Sequence, residues 1–202
     1  MSLLRRTLIA ATLAAPLLAS AAPAVDAPAP AFSAITADGK TLSLAELKGK
    51  TVVLEWTNHD CPYVRKHYDS GNMQAQQKVA TAQGVVWVQV ISSAPGQQGF
   101  VDGATALKLN ADRGAAASAT LLDPKGELGR LYGAQTTPHL FVIRPDGQLA
   151  YKGGIDSIAS ASKDDIAKAE PYLKLALADV AAGRKVEKAS TRPYGCSVKY
   201  AS

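Results

Sequence analysis

The chain of 202 residues holds two thiols, Cys61 in TVVLEWTNHDCPYVRKHY (51–68) and Cys196 in RPYGCSVKY (192–200). A cysteine reacts as its thiolate, and the first turn of a helix offers free N–H groups and the positive end of the macrodipole to that anion. Proline is favoured in a first helical turn, where its missing N–H costs nothing. Pro62 therefore sets Cys61 at or next to a helix N-cap, with its sulfur over that turn. Arg65, Lys66 and His59 add positive charge nearby, and Asp60 opposes them. Two other readings stay open: Cys61 as a small core hydrophobe, or a structural Cys61–Cys196 disulfide closing a loop of about 135 residues, worth on the order of 5 kcal/mol.

The elements that must position this thiol follow from periodicity and punctuation. Residues 31–44 alternate around Asp38-Gly39, a hairpin signal. Ser43 with Glu46 forms a capping-box pattern for one helical turn, ended by Gly49. The β-branched run 51–56 predicts a buried strand that delivers the chain to Cys61. Residues 62–83 predict one helix stopped by Gly84, and 85–91 a second buried strand. A helix over 104–110, a strand over 120–123 and a short helix over 127–132 follow. Strands over 139–143 and 148–151 flank the turn Pro145-Asp146-Gly147. Apolar spacing at Ile166, Ala169, Leu173, Leu177 and Val180 predicts an amphipathic helix over 163–182, with an irregular basic tail beyond it. Strands alternating with helices imply a parallel core, and the hairpin adds antiparallel pairing. The expected fold class is α/β, a central mixed β-sheet covered by helices on both faces, with an N-terminal β-hairpin extension. In such sheets chemistry sits past the carboxyl ends of parallel strands, where Cys61 falls.

The N-terminus reads as an export signal. Arg5 and Arg6 precede the apolar run 8–18, and Ala19-Ser20-Ala21 offers a small-x-small cleavage site. The expected organisation is a signal peptide over 1–21, a Pro/Ala-rich lead over 22–30, a domain over 31–183, and a tail over 184–202 carrying the second cysteine. Cleavage would remove two arginines, taking the net charge of +5 to +3. So mild a balance, with no basic run, points to no nucleic-acid partner, and cleavage would leave no stable membrane insertion. A periplasmic or secreted protein meets an oxidising compartment, where a disulfide persists.

The strand, turn and cysteine of TVVLEWTNHDCPYV resemble the thioredoxin-like superfamily, and specifically its redoxin branch, the alkyl hydroperoxide reductase/thiol-specific antioxidant group. Gly133-Ala-Gln-Thr-Thr-Pro138-His-Leu-Phe-Val-Ile143 resembles that family's cis-proline loop and following strand. Asp146-Gly147 and Tyr151-Lys-Gly-Gly154 match the turn and strand end, and the resemblance covers residues 28–182. It implies a thioredoxin-like fold, Cys61 as nucleophile, and a cis Pro138 beside it. It also implies that the backbone of Thr137 is free to pair with a thiol substrate's chain.

One departure matters. Val64 stands where a Cys-x-x-Cys motif carries its second cysteine, so the resolving thiol would come from Cys196. Residues 183–191 are long and polar enough to bring the tail back. Pro193, Tyr194 and Gly195 suggest a turn and an aromatic anchor. Attack on an oxidised Cys61 would then give a Cys61–Cys196 bond. Asn58 and Arg65 are candidate supporting residues, and Trp56 and Tyr63 a candidate apolar lip for substrate, with core packing the other reading of Trp56.

The leading expectation is an exported thiol-dependent oxidoreductase. It would act on a disulfide-bearing protein or a small thiol or peroxide, draw on an external thiol reductant, and need no cofactor. Leu54 and Asn58 replace the proline and threonine of the peroxiredoxin motif, which favours thiol–disulfide exchange. Thr57 or Asn58 would hold a peroxide oxygen, and Arg65 or Arg144 would supply charge, in the peroxide reading. Alternatives are thioredoxin-fold copper handling through Cys61 with His139, His59 or His67, although no Cys/His spacing marks a metal site, or a non-catalytic binding module locked by a structural disulfide.

Overall fold

The computed structural model describes residues 22–201. The predicted signal peptide lies outside them. Strand β3 (Val52–Trp56) is the centre of the architecture, with all five residues buried. It runs parallel to β4 (Val86–Ile91) and antiparallel to β7 (His139–Ile143). β5 (Ala119–Leu122) joins β4 in parallel, and β8 (Leu149–Gly153) joins β7 antiparallel, giving the order β5-β4-β3-β7-β8. A strand paired on both sides and covered on both faces reads as a continuous apolar run, which is why 51–56 is legible as sequence.

Each face of the sheet carries its own apolar cluster. On one, Val53, Trp87, Leu140 and Val142 pack against α1 (Pro62–Asp69), α2 (Asn72–Ala82) and α5 (Tyr172–Ala181) through Val64, Met73 and Leu173. On the other, Leu54, Trp56, Val90 and Phe141 meet Phe32, Leu47, and Leu128 and Tyr132 of α4 (Glu127–Tyr132). α3 (Gly103–Asp112) lies along β5, where Asn110 Nδ2 donates to Thr120 Oγ1 at 2.8 Å. The N-terminal hairpin β1 (Ser33–Ile35) and β2 (Thr41–Ser43) leads into a 3-10 turn, Leu44–Leu47, and the Ser43 amide donates to Glu46 as the capping box requires.

Two predicted helices are broken. Residues 62–83 form α1 and α2, separated at Ser70-Gly71, where Gly71 takes φ +76°. That left-handed step is open to glycine, and it redirects the chain so that both helices keep an apolar face on the sheet. Residues 163–182 form only a 3-10 turn, Lys163–Asp165, before α5, because Pro171 cannot donate into a continuous helix. Apolar periodicity runs through both breaks.

The segments flanking the domain are docked. Residues 22–30 run beside β8, with Asp26 N donating to Leu149 O at 2.8 Å and Leu149 N to Ala27 O at 2.9 Å. The tail lies extended across the body and forms β9 (Cys196–Ser197), antiparallel to β6 (Thr136–Thr137). No helix among the described residues is long and apolar enough to cross a membrane.

Candidate active site

Cys61 is the N-cap of α1, with extended backbone (φ −74°, ψ 122°) and Pro62 in the first turn. Its amide donates to Asn58 O at 3.1 Å and its carbonyl accepts from Arg65 N at 2.9 Å, so the turn 58–61 is welded to the helix. The side chain is fully buried. Its sulfur does not hydrogen-bond to the amides of the first turn as the sequence suggested; it donates to the carbonyl of Thr137 at 3.1 Å. The Thr137–Pro138 peptide is cis.

The backbone of Thr137 is not free. In the β6–β9 pair Thr137 faces Cys196 and Thr136 faces Ser197. The tail thus occupies the edge expected to receive a substrate chain, and it brings Cys196 to the neighbourhood of Cys61. Gly195 makes the approach possible: its φ is +141°, and a Cβ there would overlap the Thr137 carbonyl oxygen. On either side the strap is fastened to the body. Thr191 Oγ1 accepts from Gly154 N at 3.1 Å, Val198 N donates to Gln135 O at 3.0 Å, and Ala94 N donates to Lys199 O at 2.8 Å. Tyr200 donates to Ala134 O at 2.7 Å with Arg130 stacked 4.6 Å over its ring.

Both cysteines are free thiols, Cys61 buried and Cys196 half-buried. Burial and the neighbouring Cys61 sulfur push the Cys196 thiol up to about 12. Desolvation penalises the charged form, and a second sulfur adds like charge and a hydrogen bond to the protonated form. At neutral pH Cys196 is therefore protonated.

The remaining predicted residues divide. Asn58 is buried and structural in its contacts: Nδ2 donates to Gln98 O at 3.2 Å and Oδ1 accepts from Asp60 N at 2.9 Å. Arg65 is exposed and faces Asp69, 3.8 Å away. Arg144, at the far end of β7 from Pro138, pairs with Asp26 at 2.9 Å. Trp56 cannot be a lip. It is fully buried on the opposite face of the sheet, tilted against Tyr132 and edge-on to Phe141, and its indole donates to Ser92 Oγ at 3.0 Å. Alternation along β3 explains the correction, since Trp56 follows Leu54 rather than Val53. Tyr63 is half-buried and meets the tail, its ring edge-on to Tyr194 at 5.9 Å.

His139 lies against Phe141, ring centroids 4.4 Å apart, on the Trp56 face and away from Cys61. Its Nδ1 accepts from Gln135 N at 3.3 Å, and burial, with the Lys152 charge, lowers its pKa to about 3. His59 pairs with Asp60 at 3.4 Å. Among the described residues no three His, Cys, Asp or Glu side chains gather as metal ligands.

Sequence reasoning missed Glu55. It interrupts a buried run, and a carboxyl inside a sheet needs partners. Its Oε1 accepts from Tyr68 at 2.8 Å, and Oε2 accepts from Trp87 Nε1 at 2.8 Å and Gln77 Nε2 at 3.1 Å. Burial nevertheless raises its pKa above the usual 4.5. The acidic letter within the strand was the available signal.

The fold has known relatives. A hypothetical protein from Sinorhizobium meliloti 1021 superposes with a TM-score of 0.75 at 20% identity, over 91% of this chain and 98% of that one. An uncharacterized conserved protein from Geobacillus kaustophilus gives 0.75 at 21%, over 94% and 98%. The thioredoxin domain of a thiol-disulfide oxidoreductase from Bacteroides vulgatus gives 0.51 at 19%, over 72% and 96%. No curated protein matches the chain by sequence. The family model described as AhpC/TSA matches residues 25–152, a span holding Cys61, Thr137 and Pro138. With its mixed sheet, a helix that has Cys61 at its N-cap position, and a cis-proline loop, the chain belongs to the AhpC/TSA family and has a thioredoxin-like fold.

Proposed function

We propose that this protein is an exported thiol–disulfide oxidoreductase in which Cys61 is the nucleophile and Cys196 resolves it. The observation that carries this reading is the register of the tail, which sets Cys196 opposite Thr137 while Thr137 O holds the Cys61 thiol. The Cys61 thiolate attacks a substrate disulfide, forming a mixed disulfide and releasing one substrate sulfur as thiolate. Cys196 then attacks the Cys61 sulfur. The Cys61–Cys196 bond forms, the mixed disulfide breaks, and the second substrate sulfur leaves and takes the proton of Cys196. The substrate gains two electrons, and an external thiol reductant restores the pair.

The timing of the second step follows from the causes acting on Cys196. Besides burial, the Cys61 sulfur itself opposes ionisation of Cys196. Once Cys61 is bonded to substrate that opposition is removed, so Cys196 ionises more readily when it is needed. Tyr63, half-buried beside the tail, is the proposed contact for substrate.

A second reading, reduction of a peroxide, draws on Thr57. Its hydroxyl is buried without a hydrogen-bond partner among the described residues, one turn of chain before Cys61. Cys61 would become sulfenic acid as the distal peroxide oxygen transfers and the rest leaves as water, or as alcohol from an alkyl hydroperoxide, and Cys196 would displace water to give the same disulfide. Asn58 has no such freedom.

The test is to treat the mature protein, Cys61→Ser and Cys196→Ser with a disulfide substrate and with hydrogen peroxide, following turnover and adduct mass. The intact chain should cycle through the intramolecular disulfide, Cys196→Ser should stall as the mixed disulfide, and Cys61→Ser should fall to the uncatalysed background. Full turnover by Cys61→Ser would overturn the assignment, and faster turnover of peroxide than of disulfide would favour the second reading.

A further inference from the structure

Beneath the tail lies a group of buried polar side chains that the chemistry above does not use. Lys66 and His67, one turn beyond Cys61 on α1, have fully buried side chains, and Asp156, from the loop after β8, is nearly so. Taking such groups out of water costs several kcal/mol per ion unless partners replace the lost hydration. Lys66 Nζ lies 3.7 Å from Asp156 Oδ2 and donates to Ile158 O at 3.4 Å. His67 Nδ1 accepts from Asn72 Nδ2 at 2.8 Å, which leaves its proton on Nε2. Asp156 Oδ1 accepts from Ile158 N at 3.1 Å, while Oδ2 has no hydrogen-bond donor among the described residues and faces Lys66 Nζ and His67 Nε2 at 3.7 and 3.8 Å.

A further hydroxyl comes from the tail. Tyr194 donates its hydroxyl proton to Asp156 Oδ1, and the same oxygen lies 3.4 Å from Lys66 Nζ and 3.3 Å from His67 Nε2. One hydroxyl therefore meets all three buried groups. Only Gly195 separates it from Cys196, and Gly195 lies flat on the Thr137 carbonyl. The helix that presents Cys61 at its N-cap thus presents the seat for Tyr194 one to two turns on. Nucleophile and seat are fixed on a single rigid element.

We propose that Lys66, His67 and Asp156 form a latch for the Tyr194 hydroxyl, and that Tyr194 is a positioning residue setting the effective concentration of Cys196 at Cys61. The inference rests on the reading of the two cysteines as a reacting pair. Two groups on one chain react with an effective concentration set by how tightly the connecting segment is held in place. A tail fastened two residues before its thiol loses most of its freedom at the latch, so the latch biases the equilibrium toward Cys61–Cys196.

The experiment is equilibration of the full mature chain with reduced and oxidised glutathione, reading the intramolecular disulfide by mass. Tyr194→Phe removes the hydroxyl and keeps the ring against Tyr63. It should lower the equilibrium constant for the Cys61–Cys196 disulfide at least tenfold, moving the couple about 30 mV to less negative potential. In a Cys196→Ser background the same change should not slow Cys61 with a small aromatic disulfide, because the latch acts on the tail and its release can only uncover that sulfur. The double change Lys66→Met with Asp156→Leu, which removes both buried charges together, should reproduce the shift, and adding Tyr194→Phe to it should add nothing. An unchanged equilibrium constant in Tyr194→Phe, with only a lower melting temperature, overturns the latch and leaves the oxidoreductase reading intact. Failure of the parent chain to form the disulfide overturns both.

Discussion

Cys196 is the register partner of Thr137, and the carbonyl of that same Thr137 accepts the hydrogen bond of Cys61 Sγ at 3.1 Å. Two thiols far apart in sequence thus share one peptide unit, on the edge next to the cis-proline. The docked tail both supplies the second sulfur and shields the first.

Shielding has a measurable consequence at Gly195. Alanine there would meet the Thr137 carbonyl and would have to adopt φ +141°. Strain of about 1–3 kcal/mol moves a docking equilibrium roughly 5- to 150-fold. Gly195→Ala should therefore accelerate iodoacetamide labelling of Cys61 in the reduced protein by a factor in that range, read by peptide mass. Labelling at the parent rate would mean that the strap does not govern access.

Glu55 predicts a pH slope. Its carboxyl is raised above 4.5 in the fold, so the native state binds a proton that the unfolded chain has already released. Its contribution to stability is full below the unfolded value near 4.5 and is lost as pH rises through the higher native value. Urea unfolding across this window should show that decline. Glu55→Gln should be less stable at low pH, by about 1–3 kcal/mol for a disturbed buried hydrogen bond, yet its stability should be flatter with pH.

The buried histidines work in the opposite sense. Burial holds His67 at about 4 and His139 at about 3, below the ordinary 6.5. Their contribution is present above 6.5 and is lost as pH falls toward those native values, because the unfolded chain takes up protons that the fold refuses. His139→Asn keeps an acceptor for the Gln135 amide and removes one of these titrations. Acid unfolding of that variant should show a shallower slope between pH 6.5 and 4, by on the order of a few kcal/mol across the window. An unchanged slope would place the titration elsewhere.

Tyr63 and Trp56 make a paired test of where substrate meets the protein. Tyr63→Ala, at the half-buried edge beside Tyr194, should raise KM for a protein disulfide while leaving Cys61 reactivity with a small disulfide near that of the parent. Trp56→Phe, on the far face, should lower the melting temperature through lost packing and the lost bond to Ser92 without changing KM. The reverse pattern would restore Trp56 to the substrate surface.

Much of the site was readable because its signals are local. Pro62 after Cys61, the β-branched run before it and Thr137-Pro138 before a second apolar run are each confined to a few neighbouring residues. Where apolar periodicity continued through a stop, the reading ran on: the turn at Ser70-Gly71 and the break before Pro171 both interrupt helices whose spacing looks unbroken. The two readings of Trp56, lip or core, stay open in the sequence because a strand buried on both sides gives no polar alternation to say which side is which; the structure puts it in the core.

The order of strands and helices, and a thiol at the junction of a buried strand with a helix, were determined by the chain's own local chemistry: side-chain periodicity, glycine and proline punctuation, and one cysteine before one proline. The tertiary structure alone decided that the tail lies along β6, that Tyr194 caps Lys66, His67 and Asp156, and that Cys61 gives its hydrogen bond to Thr137 instead of lying free above the helix. These are contacts between groups as far apart as Lys66 and Tyr194. Their strength comes from water excluded on folding, and no window of neighbouring residues contains it.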